Sequence, residues 1–248
     1  MKKTILTLSF FSVLSVHAQQ HWGYQGNESP EHWGEMAGNE KCGQSKSQSP
    51  INIVTSKVIP GKGIKNIGFN YDKSDIKDIA DNGHTLQFDF KDGNFVIYDN
   101  KKYFLMQFHA HEESEHTIDG LRYPLELHFV HKALDGTVLV LGVMVKEGKE
   151  NSYFENLKVF KTLAKDNKED TDILFNPEKM YPKNKNYFRY AGSLTTPPCS
   201  DNVTWLLFKT PIEMTEDEVL DIAKHLPKSN NREIQPLNGR KVTAFHSK

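Results

Sequence analysis

Residues 107–131 read QFHAHEESEHTIDGLRYPLELHFVH and hold five of the chain's eleven histidines. Their spacing constrains the fold more than any other feature. Leu105 to His111 predicts a strand, and alternate residues of a strand share a face, so Gln107, His109 and His111 point the same way. Leu125 to His131 predicts a second strand, with Leu125, Leu127 and Phe129 on one face and Glu126, His128 and Val130 on the other. His131 has the wrong parity to join His128, and His116 falls in the Glu112–Gly120 connection. Paired as neighbours, the two strands bring His109, His111 and His128 together. Three neutral imidazoles with a fourth position open are the donor set of a catalytic zinc site. The alternative is three separately hydrogen-bonded histidines, and a same-face pair beside a third ring on an adjacent strand favours the metal. Gln107 and Glu126 each lie two residues before an imidazole, on that imidazole's own face. They are candidate acceptors for the ring N–H that a metal leaves free.

The rest of the chain reads mainly as strand. Leu86–Phe90 alternates, Lys91–Asn94 offers a turn, and Phe95–Tyr98 returns, which predicts a hairpin. Val138 to Val145 is a continuous apolar run, as in a strand buried on both faces, and Val203 to Phe208 reads the same way. Two helices are predicted. In one, Thr215 and Glu218 form a capping-box pattern ahead of Val219, Ile222, Ala223 and Leu226, and Pro227 ends it. The other carries Tyr153, Phe154, Leu157, Phe160 and Leu163. No linker or repeat divides the chain, so a single mainly β (α+β) domain around a large twisted sheet is expected.

Residues 1–18, MKKTILTLSFFSVLSVHA, have a basic start, a short apolar run and a small residue at Ala18. That is the pattern of an export signal, leaving 19–248 as the mature domain in a periplasm or outside the cell. Its loss removes Lys2 and Lys3 and takes the formal net charge from -1 to -3, which offers no footprint for nucleic acid. No other segment is apolar enough to span a membrane. Cys42 and Cys199 are the only cysteines. In an exported chain an even count suggests a disulfide, with two buried thiols as the alternative.

With these motifs in order, the chain resembles the α-class carbonic anhydrases over nearly its whole mature length. The resemblance rests on His21-Trp22-Gly23-Tyr24, Glu31-His32-Trp33-Gly34, Gln48-Ser49-Pro50-Ile51-Asn52-Ile53 and Asn82-Gly83-His84. It continues through Gln107-Phe108-His109-Ala110-His111, Ser114-Glu115-His116-Thr117, Glu126-Leu127-His128, Gly192 to Cys199, and Asn231-Arg232. It implies a twisted sheet of roughly ten mostly antiparallel strands. It also implies Zn2+ on His109, His111 and His128, and a Cys42–Cys199 bridge. The implied activity is reversible hydration of carbon dioxide to bicarbonate and a proton at a zinc-activated water.

By the same resemblance, Thr195 orients that water and gives its own proton to Glu115, and His84 shuttles the product proton outward. Thr195 and Thr196 contact substrate or bicarbonate, and Val130, Val140, Leu194 and Trp205 form an apolar wall. Sulfonamide-type inhibitors are expected to bind, and a homodimer is compatible with the family. Ala110 and Glu112 stand where many members carry aromatic residues; by parity Ala110 faces away from the metal. Two rivals are weighed. His109-x-His111-x3-Glu115 also matches a cupin motif, but Tyr103 stands where cupins need glycine, and their second glycine is missing around Pro124 and His128. A binding module on this fold would not need the histidines, Glu115 and Thr195 that the chain retains.

Overall fold

The computed structural model describes residues 21–62, 66–71, 75–155, 163–164 and 166–246. The export segment expected at 1–18, together with Leu157 and Phe160 of the expected second helix, lies outside them. Within them, thirteen strands form one sheet. Ten follow a single path across it: Lys168–Leu174, Asp75–Asp81, Leu86–Phe90, Lys101–His111, Leu125–Lys132, Val138–Glu147, Asp201–Phe208, Tyr187–Ser193, Thr243–Phe245 and Ile59–Pro60. Only two neighbour pairs on that path are parallel, Val138–Glu147 with Asp201–Phe208 and Thr243–Phe245 with Ile59–Pro60. The sheet is therefore mostly antiparallel, with short helices at its margins. No helix of the described residues is long and apolar enough to cross a membrane.

The strand that carries two of the histidines is longer than its sequence pattern suggested, running from Lys101 to His111. Its inner residues explain why its register holds. Phe108 and Ala110 are fully buried in the larger core. Phe108 stacks on Phe88 at 4.3 Å, on Phe175 at 4.9 Å and on Phe129 at 5.3 Å between ring centroids. Burying one such ring stabilises by about 1.5–3 kcal/mol. A one-residue slip would turn Phe108 outward and drive the imidazoles into the core, so both faces select the same register. The opposite face of the sheet carries a second cluster containing Val140, Met144, Trp205 and Leu207, with Val130 and Leu194 packed against it. The histidines share that face.

The hairpin expected at 86–98 is not formed. Leu86–Phe90 and Phe95–Tyr98 both pair with Lys101–His111, the first against residues 107–109 and the second against residues 101–104. The tight turn is Asp99-Asn100, with φ of 51° and 62°. Both central residues of a type I′ hairpin turn need positive φ, and Asp and Asn tolerate it. Lys91–Asn94 is instead a connection between two strands laid end to end along one edge.

The Val138–Glu147 strand is buried over most of its length, as its apolar run requires. The Glu216–Ala223 helix has its capping box: Thr215 Oγ1 accepts from the Glu218 N–H at 3.2 Å, and Glu218 Oε2 accepts from the Thr215 N–H at 2.7 Å. Cys42 and Cys199 are joined across 157 residues, which excludes the free-thiol alternative. The bridge sits among Trp33 and Met36, with Trp22 and Tyr24 against them.

Candidate metal centre

His109 and His128 are direct cross-strand partners, and His111 lies two residues on, opposite Glu126. The three rings converge, with centroid separations of 4.9 Å for His109–His111, 5.3 Å for His109–His128 and 4.6 Å for His111–His128. One nitrogen from each ring lies within 4.8 Å of the other two. His111 and His128 are buried, and His109 is partly exposed.

The second nitrogen of each ring is committed elsewhere. His109 Nδ1 bonds Gln107 Oε1 at 2.8 Å, and His128 Nε2 bonds Glu126 Oε1 at 2.8 Å. His111 Nδ1 bonds the Asn230 carbonyl at 2.6 Å. Each acceptor receives a hydrogen bond from the ring N–H on its side and so leaves a lone pair on the nitrogen that faces the other rings. On His111 that nitrogen, Nε2, is buried and has no hydrogen-bond partner. Leaving such a group unsatisfied costs about 1–3 kcal/mol. A soft-enough divalent cation accepting three imidazoles relieves it, and the donor set fits zinc.

The charge on the site is tuned by its neighbours. Burial, reinforced by His111 and His128, holds His109 well below the usual imidazole range. Burial also lowers His111. At His128 burial works the same way, but the Glu126 carboxylate outweighs it and leaves the ring above its ordinary value. Glu126 has room because its cross-strand neighbourhood includes Gly142. A Cβ there would stand 3.3 Å from Glu126 Oε1 and 2.3 Å from Leu207 Cδ1.

Glu126 also holds His116. Its Oε1 lies 2.8 Å from His116 Nδ1, and its Oε2 accepts the His116 backbone N–H at 2.8 Å. His116 Nε2 meets the Tyr190 hydroxyl at 2.6 Å. His116, Glu126 and His128 therefore cluster as hydrogen-bonded partners, with no nitrogen of His116 left for a metal. His131 lies on the other face, where Phe129 O and the Tyr71 hydroxyl occupy its two nitrogens.

Glu115 is fully buried beside the three rings. Its Oε1 accepts the Arg232 backbone N–H at 2.9 Å. Its Oε2 has no hydrogen-bond partner and lies 3.6 Å from His111 Nε2 and 3.9 Å from His128 Nδ1. Among the described residues the Thr195–Glu115 hydrogen bond expected from sequence is not made. Thr195 itself is buried and Thr196 partly exposed, in the loop after the Tyr187–Ser193 strand. That loop is tied down by Cys199 N–H to Thr196 O at 2.9 Å and by Gln48 Nε2 to Cys199 O at 3.1 Å. Val140 and Trp205 are buried, and the Trp205 ring packs 4.8 Å from that of His128. His84 is half-buried and stacks on Trp22 at 3.5 Å, with the His21 ring 5.9 Å away.

Two residues of the site carried no readable role in the sequence. Asn230 contributes a carbonyl to His111, its Oδ1 to the Glu112 N–H, and its Nδ2 to Ala110 O. Arg232 is buried, and its guanidinium donates to Gln48 Oε1, Ser49 O and Cys42 O while its own N–H holds Glu115. Every residue has a backbone carbonyl, so the Asn230 contact leaves no compositional signal. A buried arginine among polar segments is invisible until those segments are assembled.

The family model for eukaryotic-type carbonic anhydrases matches residues 28–246. A carbonic anhydrase from Pectobacterium carotovorum is 37% identical over 236 residues, 95% of each chain. One from Neisseria gonorrhoeae is 36% identical over 241 residues, covering 96% of this chain and 93% of the other. Among solved structures, the α-carbonic anhydrase of Thermovibrio ammonificans in complex with the inhibitor sulfanilamide superposes with a TM-score of 0.85. It is 40% identical and covers 90% of this chain and 98% of its own.

Proposed function

This chain belongs to the eukaryotic-type (α) carbonic anhydrase family, and from that premise we propose that it hydrates carbon dioxide reversibly, with zinc held by His109, His111 and His128. The observation that carries the reading is the set of three converging imidazole nitrogens whose opposite nitrogens are all engaged by acceptors. Zinc bound there would supply the Lewis acidity that makes water a nucleophile near neutral pH, its general part in this family.

The protein's own contribution follows from the residues around that point. Gln107, Asn230 and Glu126 fix the tautomers, so three lone pairs face inward without any rearrangement. Val130, Val140, Leu194 and Trp205 exclude water from one side and accept an apolar, linear substrate. With the site filled, the Thr195 hydroxyl would turn to donate a hydrogen bond to Glu115 Oε2, which accepts none as it stands. A hydroxyl committed as a donor can then only accept from the reacting water, which aims that water's remaining lone pair at the carbon. The water oxygen adds to carbon, bicarbonate departs past Thr196, and one proton must leave the cleft. His84 carries it, an imidazole having one nitrogen to accept the proton and another to release it.

The chain acts after export. Residues 1–18 have the tripartite pattern of a signal, and the Cys42–Cys199 bridge suits an oxidising compartment.

The primary test is stopped-flow carbon dioxide hydration on purified, metal-analysed protein. About one zinc per chain and a rate suppressed by sulfanilamide are expected. A folded, zinc-loaded sample with no rate above buffer would remove the reading. For the proton path, His84→Ala is expected to lower turnover in weak buffer by roughly tenfold or more, with recovery in imidazole. Unchanged turnover in weak buffer would take His84 out of that path.

A further inference from the structure

A cavity of about 520 Å³ lies at the last strand of the sheet path, Ile59–Pro60. One wall comes from Asn52, Val54, Lys57 and Ile59, the other from residues 234–237 and 240–242. None of the residues that converge on the metal centre lines it. Val242 is buried there, while Ile59, Ile234 and Leu237 keep 41%, 42% and 36% of their surface in solvent. Single exposed apolar side chains are ordinary, but several gathered in one concavity of this size are the mark of a ligand site.

Lys57, Arg240 and Lys241 line the cavity, and no carboxylate does. The chain as a whole carries 31 basic and 32 acidic residues, so this excess of positive charge is local. Acidic residues close by in the sequence are engaged elsewhere. Asp119 accepts from the Thr55 N–H at 2.8 Å and from its hydroxyl at 2.6 Å. Glu233, next to Ile234, lines a different cavity and lies 3.9 Å from Arg122. Arg240 donates to four backbone carbonyls, those of Leu237 at 3.0 Å, Ala191 at 3.1 Å, Gln48 at 2.7 Å and Pro236 at 2.9 Å. These bonds satisfy the guanidinium without neutralising it, and they tie the 236–240 loop to the Tyr187–Ser193 strand. The Gln235 N–H to Pro50 O bond at 2.7 Å and the Ile59 N–H to Val242 O bond at 2.9 Å hold the two walls. The cavity is therefore preformed, and a ligand entering it has little ordering cost to overcome.

We propose that this cavity binds a single-chain organic anion, with its carboxylate between Lys57 and Lys241 and its alkyl chain against Ile59, Ile234 and Leu237. The space suits a chain of roughly eight to twelve carbons. Charge complementarity selects the head group, because cations with no internal carboxylate draw an anion from solution. The concave shape suits one amphiphile better than a flat membrane surface. A peptide adding as a further strand is disfavoured, since the edge segment is two residues long and Pro60 offers no N–H. The site stands apart from the hydration chemistry and does not depend on it.

The test is calorimetric titration of the purified chain with decanoate, with and without sulfanilamide. One decanoate per chain is expected, with a Kd of about 10–100 μM that sulfanilamide leaves unchanged. Octanoate is expected to bind roughly five- to fifteenfold more weakly, since each buried methylene contributes about fourfold. Decanol, which lacks the charge, is expected to bind about tenfold more weakly than decanoate, and the double variant Lys57→Gln/Lys241→Gln to lose about tenfold for decanoate. Leu237→Asp should lose as much by breaking the apolar wall. Both lysines are exposed, so the double variant decides the matter even if Leu237→Asp fails to fold. Binding abolished by sulfanilamide would put decanoate in the metal cleft and overturn the proposal, as would affinity indifferent to chain length or to the lysine pair. Two further results would also overturn it. A dimer that Leu237→Asp dissociates would give this face to a second copy, and capture by phosphatidylglycerol vesicles without decanoate binding would make it a membrane patch.

Discussion

His109→Ala is expected to drop zinc from about one per chain to below roughly a tenth, and carbon dioxide hydration by about a thousandfold or more. Removing one of three imidazole donors leaves two, too few to hold the cation against water and buffer. The ring is partly exposed and, among the described residues, its one hydrogen bond is to Gln107, which water can satisfy after the change. The fold should therefore survive, with a stability change within about 1–1.5 kcal/mol. His131→Ala is the informative contrast. His131 is buried on the opposite face with Phe129 O and the Tyr71 hydroxyl, so its loss should cost stability while zinc is kept. Metal analysis and stopped-flow rates on both variants decide the matter. Full zinc and rate in His109→Ala would overturn the assignment of that ring.

Replacing both cysteines with serine is expected to destabilise the chain by about 5 kcal/mol at most, because the bridge closes a loop of 157 residues. For a domain of this size that is a fall in Tm of roughly 10–20 °C. The effect should reach the site. Cys199 N–H holds Thr196 O, and Cys199 O receives Gln48, whose side-chain oxygen is bound by Arg232. Arg232 also holds Cys42 O, and through its N–H holds Glu115. Calorimetry of the double variant and of the wild type with reductant measures the first effect. A shift under a few degrees in both would mean that packing around Trp33 and Arg232, and not the cross-link, secures this corner of the molecule.

Much of the site could be read from short-range order. The two-residue period of a strand places Gln107, His109 and His111 on one face whatever the rest of the chain does. It places Glu126 with His128 by the same rule, and excludes His131. The buried Val138–Glu147 strand and the capped helix after Thr215 were legible for similar reasons. The hairpin at 86–98 was misread because Lys91–Asn94 and Asp99-Asn100 both offer turn residues, and strand pairing chose between them. Leu86–Phe90 found a better partner in residues 107–109, where Phe88 stacks on Phe108.

By itself, then, the sequence determined which side chains could share a face, since a covalent backbone repeats every two residues in a strand. It determined the type of donor offered and the one pairing open to two cysteines. Tertiary structure alone decided what each donor meets. The carbonyl that orients His111 comes from Asn230, the N–H that holds Glu115 comes from Arg232, and the free oxygen of Glu115 stands 3.6 Å from His111 Nε2, unbonded to Thr195. Asn230 and Arg232 lie more than a hundred residues along the chain from the groups they hold. They use backbone groups common to every residue, so only the packing that closes the distance can select them.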